Sequence, residues 1–224
     1  MSKFKSQIGQ DKYVSDVIFN NKRDGYFIEL GATDGVELSN THYLEKELGW
    51  KGLCIEPQPK YASDLKKNRS CSISTSPIYS KSGETVEFSI VDCGELSGIK
   101  QHLGCIPSVY NIDSVIELTT KTLTDVLDEV DAPKYIDYMS LDTEGSELEV
   151  LKGLDFDKYT IGYISVEHNY KQPMRSMLGG FLHQNEYVYS RWNRFDDEYM
   201  HHSLAKLFQW SNSTTNMTPE SCDV

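Results

Sequence analysis

The sequence predicts one α/β domain built on a mostly parallel sheet. Predicted strands and helices alternate from residue 26 to about residue 185, and this order gives parallel strands joined by right-handed crossovers. A turn with two glycines follows the first strand, and the central strands end in acidic residues. A chain of 224 residues, 38% of them hydrophobic, is long enough for one domain with a full core.

The N-terminal half begins with a lead-in helix in residues 1–24, whose apolar stripe includes Val14 and Ile18. The domain itself is expected to span residues 25–210, and its first strand, residues 26–30, is apolar enough to be covered on both faces. A helix over residues 43–48 ends at Gly49, and a second strand covers residues 51–56.

The middle of the chain holds a weaker third strand in residues 70–79 and an insertion over about residues 80–125. Within the insertion, residues 85–91 alternate as a strand with one wet face, and residues 95–107 show little regular pattern. Residues 112–118 favour a further strand and residues 123–130 a helix. The insertion would lie over the ligand edge of the sheet, so it is a candidate substrate lid, with a plain surface loop as the alternative.

The C-terminal half supplies a fourth strand over residues 136–142, then a helix opened by a capping-box spacing from Ser146 to Glu149. A fifth strand over residues 161–169 and a helix over 177–182 follow. Residues 187–189 and 204–208 are predicted as the last pair of strands, with a polar corner at Asp196 and Asp197 between them. Residues 211–224 are rich in Ser, Thr and Asn and are expected to form a loose tail.

The turn after the first strand indicates the ligand. A dinucleotide-binding turn reads G-x-G-x-x-G and offers amides to a pyrophosphate. Here the spacing is Glu29-x-Gly31-x-x-x-Gly35, with Asp34 inside the turn. Carboxylates repel a diphosphate and attract an ammonium and a sulfonium, which favours S-adenosylmethionine over the rival ligand, a nicotinamide cofactor. A structural turn without a ligand is the alternative.

A second acid strengthens this interpretation. Glu56 ends the second strand about twenty residues later, where an acid in a doubly wound sheet accepts hydrogen bonds from a ribose. Ser76, followed by Pro77, would flank the adenine. Ser39 and Asn40 would reach the ligand or simply cap a helix. The predicted cofactor-binding residues are Gln10, Glu29, Gly31, Ala32, Asp34, Gly35, Ser39, Asn40, Glu56, Pro57, Ser76 and Asp142.

Catalytic candidates lie at the ends of the fourth and fifth strands, at Asp142, Glu167 and His168. A sugar hydroxyl keeps its proton at neutral pH, so methyl transfer to it needs a base or a metal. His168 is a candidate general base. Alternatively, Asp142, Glu167 and His168 would bind Mg²⁺ or Mn²⁺. Structural roles are open too: Asp142 as a helix cap, and Glu144 and Glu147 as solvated acids at a helix start.

The bulk properties limit the partners. A net charge of −12 disfavours nucleic acid as substrate, and neutral small molecules or sugars are easier partners. We expect no membrane association, because no apolar run approaches about 20 residues. Five scattered cysteines and a polar N-terminus without a signal peptide favour the reducing cytoplasm. The sequence is compatible with a homodimer.

Several motifs together resemble the FkbM-type methyltransferases, a branch of the class I methyltransferases that use S-adenosylmethionine. Besides the glycine turn, they are Ser6-Gln7-x-Gly9-Gln10-Asp11, Ser39-Asn40-Thr41, Gly49-Trp50-x-Gly52-Leu53-Cys54-Ile55-Glu56-Pro57, Ser97-Gly98-Ile99, Asp137-Tyr138-x-Ser140-Leu141-Asp142-Thr143-Glu144-Gly145-Ser146-Glu147 and Val166-Glu167-His168-Asn169.

The resemblance implies a seven-stranded sheet whose last strand is antiparallel, and a cofactor held by Glu29, Gly31, Gly35 and Glu56. It also implies O-methylation, here preferably of a sugar or glycan hydroxyl. A small-molecule natural product as acceptor, or a non-catalytic cofactor- or glycan-binding module, is the alternative. The acids at Asp142 and Glu167 resemble the Mg²⁺ site of catechol-type O-methyltransferases.

Overall fold

A computed structural model describes residues 3–104 and 106–207. The predicted tail and Phe208 therefore lie outside the described residues. The chain forms a seven-stranded sheet, a separate three-stranded sheet and helices on both faces of the larger sheet. No helix in the described part of the chain is long and apolar enough to cross a membrane.

The large sheet contains seven strands in the spatial order β3-β2-β1-β7-β8-β10-β9. Strand β10 alone runs antiparallel to its neighbours, so the predicted fold class is confirmed. The strands are β1 (Tyr26–Leu30), β2 (Lys51–Ile55), β3 (Ser72–Ser74), β7 (Tyr135–Leu141), β8 (Thr160–Glu167), β9 (Tyr187–Asn193) and β10 (Asp196–His201).

The helices divide between two apolar layers because alternate residues of each strand face opposite sides. Ile28 faces one layer and Phe27 the other. The first layer is covered by α4 (Leu123–Glu129), α5 (Glu147–Lys152) and α6 (Met174–Gln184). The second is covered by α1 (Gln10–Tyr13) with a π-helical turn (Val14–Ile18), α2 (His42–Leu48), α3 (Pro59–Asn68) and α7 (His202–Leu207).

The insertion forms its own antiparallel sheet in the order β5-β4-β6. Its strands are β4 (Thr85–Val91), β5 (Gly98–Ile99) and β6 (Ile112–Thr119). Val86, Phe88 and Ile99 form its small apolar core. Strands β4 and β6 match the prediction, whereas β5 lies in a segment predicted to be irregular.

Three local predictions were wrong. Residues 202–207 form helix α7 rather than a strand, because a short apolar run fits either period, and residues 196–201 supply β10 instead of a polar corner. Ser146 makes no side-chain cap on α5; instead the buried Glu147 accepts hydrogen bonds from the Thr143 and Gly145 amides at 2.9 and 3.0 Å.

Candidate active site

A cavity of about 270 Å³ lies at the carboxyl-terminal edge of the parallel strands. Because β10 is antiparallel, its first residue, Asp196, lies at the same edge, opposite Glu167 of β8. Carboxyl groups therefore reach the cavity wall from five adjacent strand ends. They belong to Glu56, Glu29, Asp142, Glu167 and Asp196, in the order of the strands across the sheet.

The glycine turn brings backbone against backbone at the cavity floor. Gly31 has a φ of +77°, and a Cβ atom there would lie 2.3 Å from the Asp142 carbonyl oxygen. Its amide donates to the Ile55 carbonyl of β2 at 3.1 Å. A larger residue would therefore push the turn away from both neighbouring strands, so the sequence requires glycine at this position.

Gly35 has a different function. It also has a positive φ, but a Cβ there would meet the side chains of Arg69 and Leu65 at 2.6 and 2.7 Å. Asp34 accepts the amides of Val36 and Glu37, which stabilises the turn. Both residues shape the turn without lining the cavity.

Glu29 lines the cavity, but other side chains and amides already bind its carboxylate. It accepts from the Ser39 and Thr41 hydroxyls and from the Asn40 amide, at 2.5 to 3.0 Å. Arg69, whose side chain is fully buried, adds an ion pair at 3.0 Å. Ser39 also accepts the His42 amide at 3.0 Å, so its hydroxyl binds the start of α2 and the Glu29 carboxylate and does not line the cavity.

Glu56 is poised differently. Its two carboxylate oxygens accept backbone amides of Thr33 at 2.9 Å and Gln58 at 2.8 Å. Burial raises its pKa to about 7, although these two amides oppose the shift. The carboxyl group is thus fixed in direction while a side of the residue still faces the cavity.

Asp142, Glu144 and Glu167 form an acidic cluster in which one oxygen of each lies within 4.8 Å of the others. Burial, with the charges of Glu144 and Glu147, raises the pKa of Asp142 to about 7. Burial and the charges of Asp142 and Glu144 raise the pKa of Glu167 far above its usual range. Asp142 and Glu167 are hydrogen-bonded to each other and both are buried, so ionising both is unfavourable and the pair keeps a proton to higher pH than isolated carboxyl groups do.

His168 points away from this cluster. Its Nδ1 accepts the Tyr170 amide at 2.9 Å, and its Nε2 lies 3.6 Å from the Asp197 carboxylate. Asp197 in turn holds Arg175 through two hydrogen bonds at 2.7 and 2.8 Å. The imidazole borders a separate cavity of about 60 Å³, and burial lowers its pKa. The third potential metal ligand beside Asp142 and Glu167 is therefore Glu144, not His168.

Gln10 and Asp196 close the opposite end of the cavity. The Gln10 amide Nε2 donates to Asp196 Oδ2 at 2.9 Å across 186 residues of sequence. Both side chains are buried and both line the cavity. Burial raises the pKa of Asp196 to about 7, with the Gln10 hydrogen bond opposing it.

The small sheet covers the cavity from above. Phe88 and the segment 94–99 line it, together with Pro77 and Ile78. Gly145, with a φ of +118°, lies so close to the insertion that a Cβ would be 2.3 Å from the His102 carbonyl oxygen. The insertion therefore packs directly on the turn after Asp142.

The structure brings most of the predicted residues to one cavity. The predicted cofactor and catalytic residues that line it are Gln10, Glu29, Gly31, Asn40, Glu56, Pro57, Asp142 and Glu167. Ala32, Asp34, Gly35, Ser39, Ser76 and His168 do not. Asp196 and Glu144 also line the cavity. The sequence predicts a polar corner for Asp196 and a solvated acid at a helix start for Glu144, so neither was expected at the site.

The strand order, the single antiparallel strand and the glycine turn flanked by acids define a class I methyltransferase fold. The chain belongs to the Methyltransferase FkbM domain family, whose model matches residues 29–195. The fold of this class implies the use of S-adenosylmethionine. A search of curated proteins by sequence found no match.

Three solved structures resemble the chain at low identity. Precorrin-6y C5,15-methyltransferase from Geobacter metallireducens GS-15 has 10% identity and a TM-score of 0.44, over 82% of this chain and 85% of that one. A methyltransferase from Pyrococcus furiosus has 10% and 0.43, over 86% and 80%. Human methyltransferase 10 domain containing protein has 14% and 0.43, over 85% and 78%. The fold class itself rests on the strand order.

Proposed function

We propose that the protein is an S-adenosylmethionine-dependent O-methyltransferase that acts on a hydroxyl of a sugar or glycan. The observation that carries the proposal is the row of five carboxyl groups along one cavity at the carboxyl edge of the sheet. Such a wall suits a cationic cofactor and an acceptor rich in hydroxyl groups. It does not suit a phosphate-bearing ligand.

The strand order supports a division of the cavity into a cofactor part and an acceptor part. Neighbouring strands lie about 4.8 Å apart, so the ends of β2 and β7 are separated by about 10 Å, and β10 lies about 10 Å further on. At the first position, Glu56 accepts hydrogen bonds from the ribose of the cofactor. The sulfonium end then lies near Asp142, and the acceptor binds beside Glu167, Asn169 and Asp196.

The reaction follows from this arrangement. The acceptor oxygen attacks the methyl carbon in line with the sulfur, the carbon–sulfur bond breaks, and the neutral thioether leaves. The acceptor proton passes to a carboxylate of the Asp142–Glu167 pair, which lies between the two parts of the cavity. Asn169 donates to Glu167 at 2.7 Å and so orients that carboxyl group. His168 is the competing candidate for the base.

A divalent cation would fit the donor set formed by Asp142, Glu144 and Glu167, because hard carboxylate oxygens suit Mg²⁺ or Mn²⁺. When bound there, it would polarise an acceptor hydroxyl and lower its pKa. The three carboxylates would hold it without help from His168.

Calorimetric titration with S-adenosylhomocysteine tests the cofactor half. We expect wild-type protein to bind it and Glu56→Ala to bind at least about 10-fold more weakly, since a hydrogen-bonding charged group is lost. Glu37→Ala is the matched control, because this exposed carboxylate lies just after the glycine turn and its nearest partner, Lys5, is 3.8 Å away. Absence of binding to folded wild-type protein would refute the proposed cofactor.

A transfer assay tests the acceptor half. Methyl-labelled cofactor is incubated with a panel of methyl glycosides, with and without Mg²⁺ or Mn²⁺, and the products are identified by mass. Transfer to at least one glycoside supports the proposal. Cofactor binding without transfer to any glycoside would favour a natural-product acceptor or a non-catalytic binding module instead.

A further inference from the structure

Two free cysteine thiols lie in contact beside the part of the cavity lined by Glu29 and Glu56, the cofactor half. The Sγ atoms of Cys54 and Cys71 are 3.4 Å apart, although 17 residues separate them in sequence. Cys54 is fully buried in β2, whereas Cys71 is half-buried just before β3. Such a spacing has no sequence signature like that of a C-x-x-C motif.

The sheet explains why the two thiols meet. Strand β2 pairs with β3 in parallel, with Cys54 opposite Ile73. Residues two apart on a strand face the same side, so Cys71 shares the face of Ile73 and lies diagonally across from Cys54. All three side chains belong to the same apolar cluster.

We propose that Cys54 and Cys71 are a redox-active dithiol that closes to a disulfide on contact with a low-molecular-weight disulfide. The Cys71 thiolate attacks one sulfur of the oxidant, forms a mixed disulfide and releases one thiolate. The Cys54 thiolate then attacks the Cys71 sulfur, forms the Cys54–Cys71 bond and releases the second thiolate. Two cysteine thiols are oxidised, one disulfide is reduced to two thiols, and the two protons go to the released thiolates.

The order of attack follows from burial. Cys71 is half-buried and is the thiol that a solute can reach, whereas Cys54 is enclosed. Burial raises the pKa of Cys54, and the charge of Arg69 opposes this. Cys54 therefore acts second, as the resolving thiol. Closing the bond requires the two sulfurs to approach by about 1.4 Å, since a disulfide measures about 2.05 Å.

The bond would join an edge strand to the cofactor site. Strand β3 has three residues and pairs only with β2 in the described part of the chain, and its Ser74 carbonyl accepts the Glu56 amide at 3.0 Å. The disulfide would hold β3 against β2 directly beside Glu56. It would also remove the thiol hydrogen that Cys54 Sγ donates to the Glu29 carboxylate at 3.9 Å in the reduced protein.

Peptide mapping tests the proposal. The full-length reduced protein is incubated with oxidised glutathione, remaining thiols are alkylated, and the sample is digested with trypsin. Residues 52–60 carry Cys54, residues 70–81 carry Cys71, and residues 82–100 carry Cys93. We expect the first two peptides to be linked in most chains, with a mass 2 Da below their sum. Reduction should reverse the link, and the oxidised protein should unfold about 5 °C higher.

Two variants give the controls. Cys71→Ser should lose the cross-link and the shift in Tm, while Cys93→Ser, which removes another half-buried free thiol, should keep both. The proposal would be overturned by a stable glutathione adduct on Cys71 without a cross-link, by no reaction at Cys71, or by cross-links to Cys93 at equal yield. None of these readouts depends on methyl transfer.

Discussion

The two halves of the cavity floor satisfy their carboxylates in opposite ways. In the cofactor half, Glu29 at the cavity wall shares the buried guanidinium of Arg69 with Glu45 of α2, at 3.0 and 2.5 Å. In the acceptor half, Asp142, Glu144 and Glu167 crowd one another, and the opposing charge is that of the exposed Lys171, which lowers the pKa of Glu144 only in part.

The pKa values show the same contrast. Although burial alone would raise it, the Arg69 charge and hydrogen bonds from Ser70 lower the pKa of Glu45 to about 2. In the acceptor half, burial and like charges raise the pKa of both Asp142 and Glu167. The Glu29–Arg69–Glu45 network is therefore complete before any ligand arrives, although Glu56 in the same half keeps a raised pKa. The Asp142–Glu144–Glu167 cluster would instead be stabilised by a bound cation. This difference agrees with the proposed roles of the two halves.

Removing the Arg69 guanidinium from its network with Glu29 and Glu45 should have the largest effect on stability. Arg69→Met leaves Glu29 and Glu45 buried without their partner, so we expect a loss of about 3–5 kcal/mol in the free energy of unfolding. Urea titration of the purified variant measures this loss. Failure of the variant to accumulate as folded protein would also agree with it.

Lys67→Met, two residues before Arg69 in the last turn of α3, is the matched control. Lys67 pairs with Asp64 at 2.9 Å, but both side chains are more than half exposed. We expect a change below about 1 kcal/mol. If Arg69→Met were as mild as this control, the buried ion pairs would not hold the cofactor turn, and the contrast between the two halves would fail.

Neutralising one acid of the Asp142–Glu144–Glu167 cluster should lower kcat and leave the stability intact. Asp142→Asn removes the carboxylate that faces both parts of the cavity, and we expect kcat to fall about 100-fold or more on any glycoside that wild type methylates. The free energy of unfolding should stay the same or rise, since a like charge is removed.

His168→Gln distinguishes the two candidates for the base. Because the imidazole faces Asp197 and a separate cavity, we expect a fall in kcat below about 10-fold, with the pH profile unchanged. A larger loss in His168→Gln than in Asp142→Asn would assign the proton transfer to His168.

The sequence was sufficient for the frame of the site because its signals are local. The apolar run before Gly31 predicts a buried strand, and the order of strands places Glu56 and Asp142 at one edge of the sheet. Those inferences need only periodicity and topology. The fold class and the strand-end acids at the cavity, Glu29, Glu56, Asp142 and Glu167, followed from them.

The sequence was insufficient wherever distant segments meet. Nothing near Asp196 indicates that Gln10 binds it, and a short apolar run at residue 204 fits a strand as well as a helix. Likewise, Glu29 invites a direct contact with the cofactor, but Arg69, 40 residues later, already pairs with it. The direction in which His168 points depends on Asp197 across the sheet. Side-chain pairing of this kind is decided by packing, which a periodic pattern does not encode.

A smaller effect on stability than that of Arg69→Met should appear at Asp196, a buried carboxylate at the outer end of the acceptor half. Its folded pKa of about 7 lies above the ordinary aspartate value, so between about pH 4 and pH 7 the folded state holds a proton that the unfolded state has lost. Stability therefore falls as pH rises through this window and stays reduced above it. Asp196→Asn keeps an acceptor for Gln10 and removes the charge.

We therefore expect the free energy of unfolding of Asp196→Asn to exceed that of wild type by about 2 kcal/mol at pH 8, with no gain at pH 4. Urea titrations at the two pH values measure this. Asp113→Asn, on the exposed part of β6, should change stability by less than about 0.5 kcal/mol at both. If Asp196→Asn were destabilised at pH 8, the carboxylate would be satisfied as fully as Glu29, and the acceptor half would not differ from the cofactor half at its outer end.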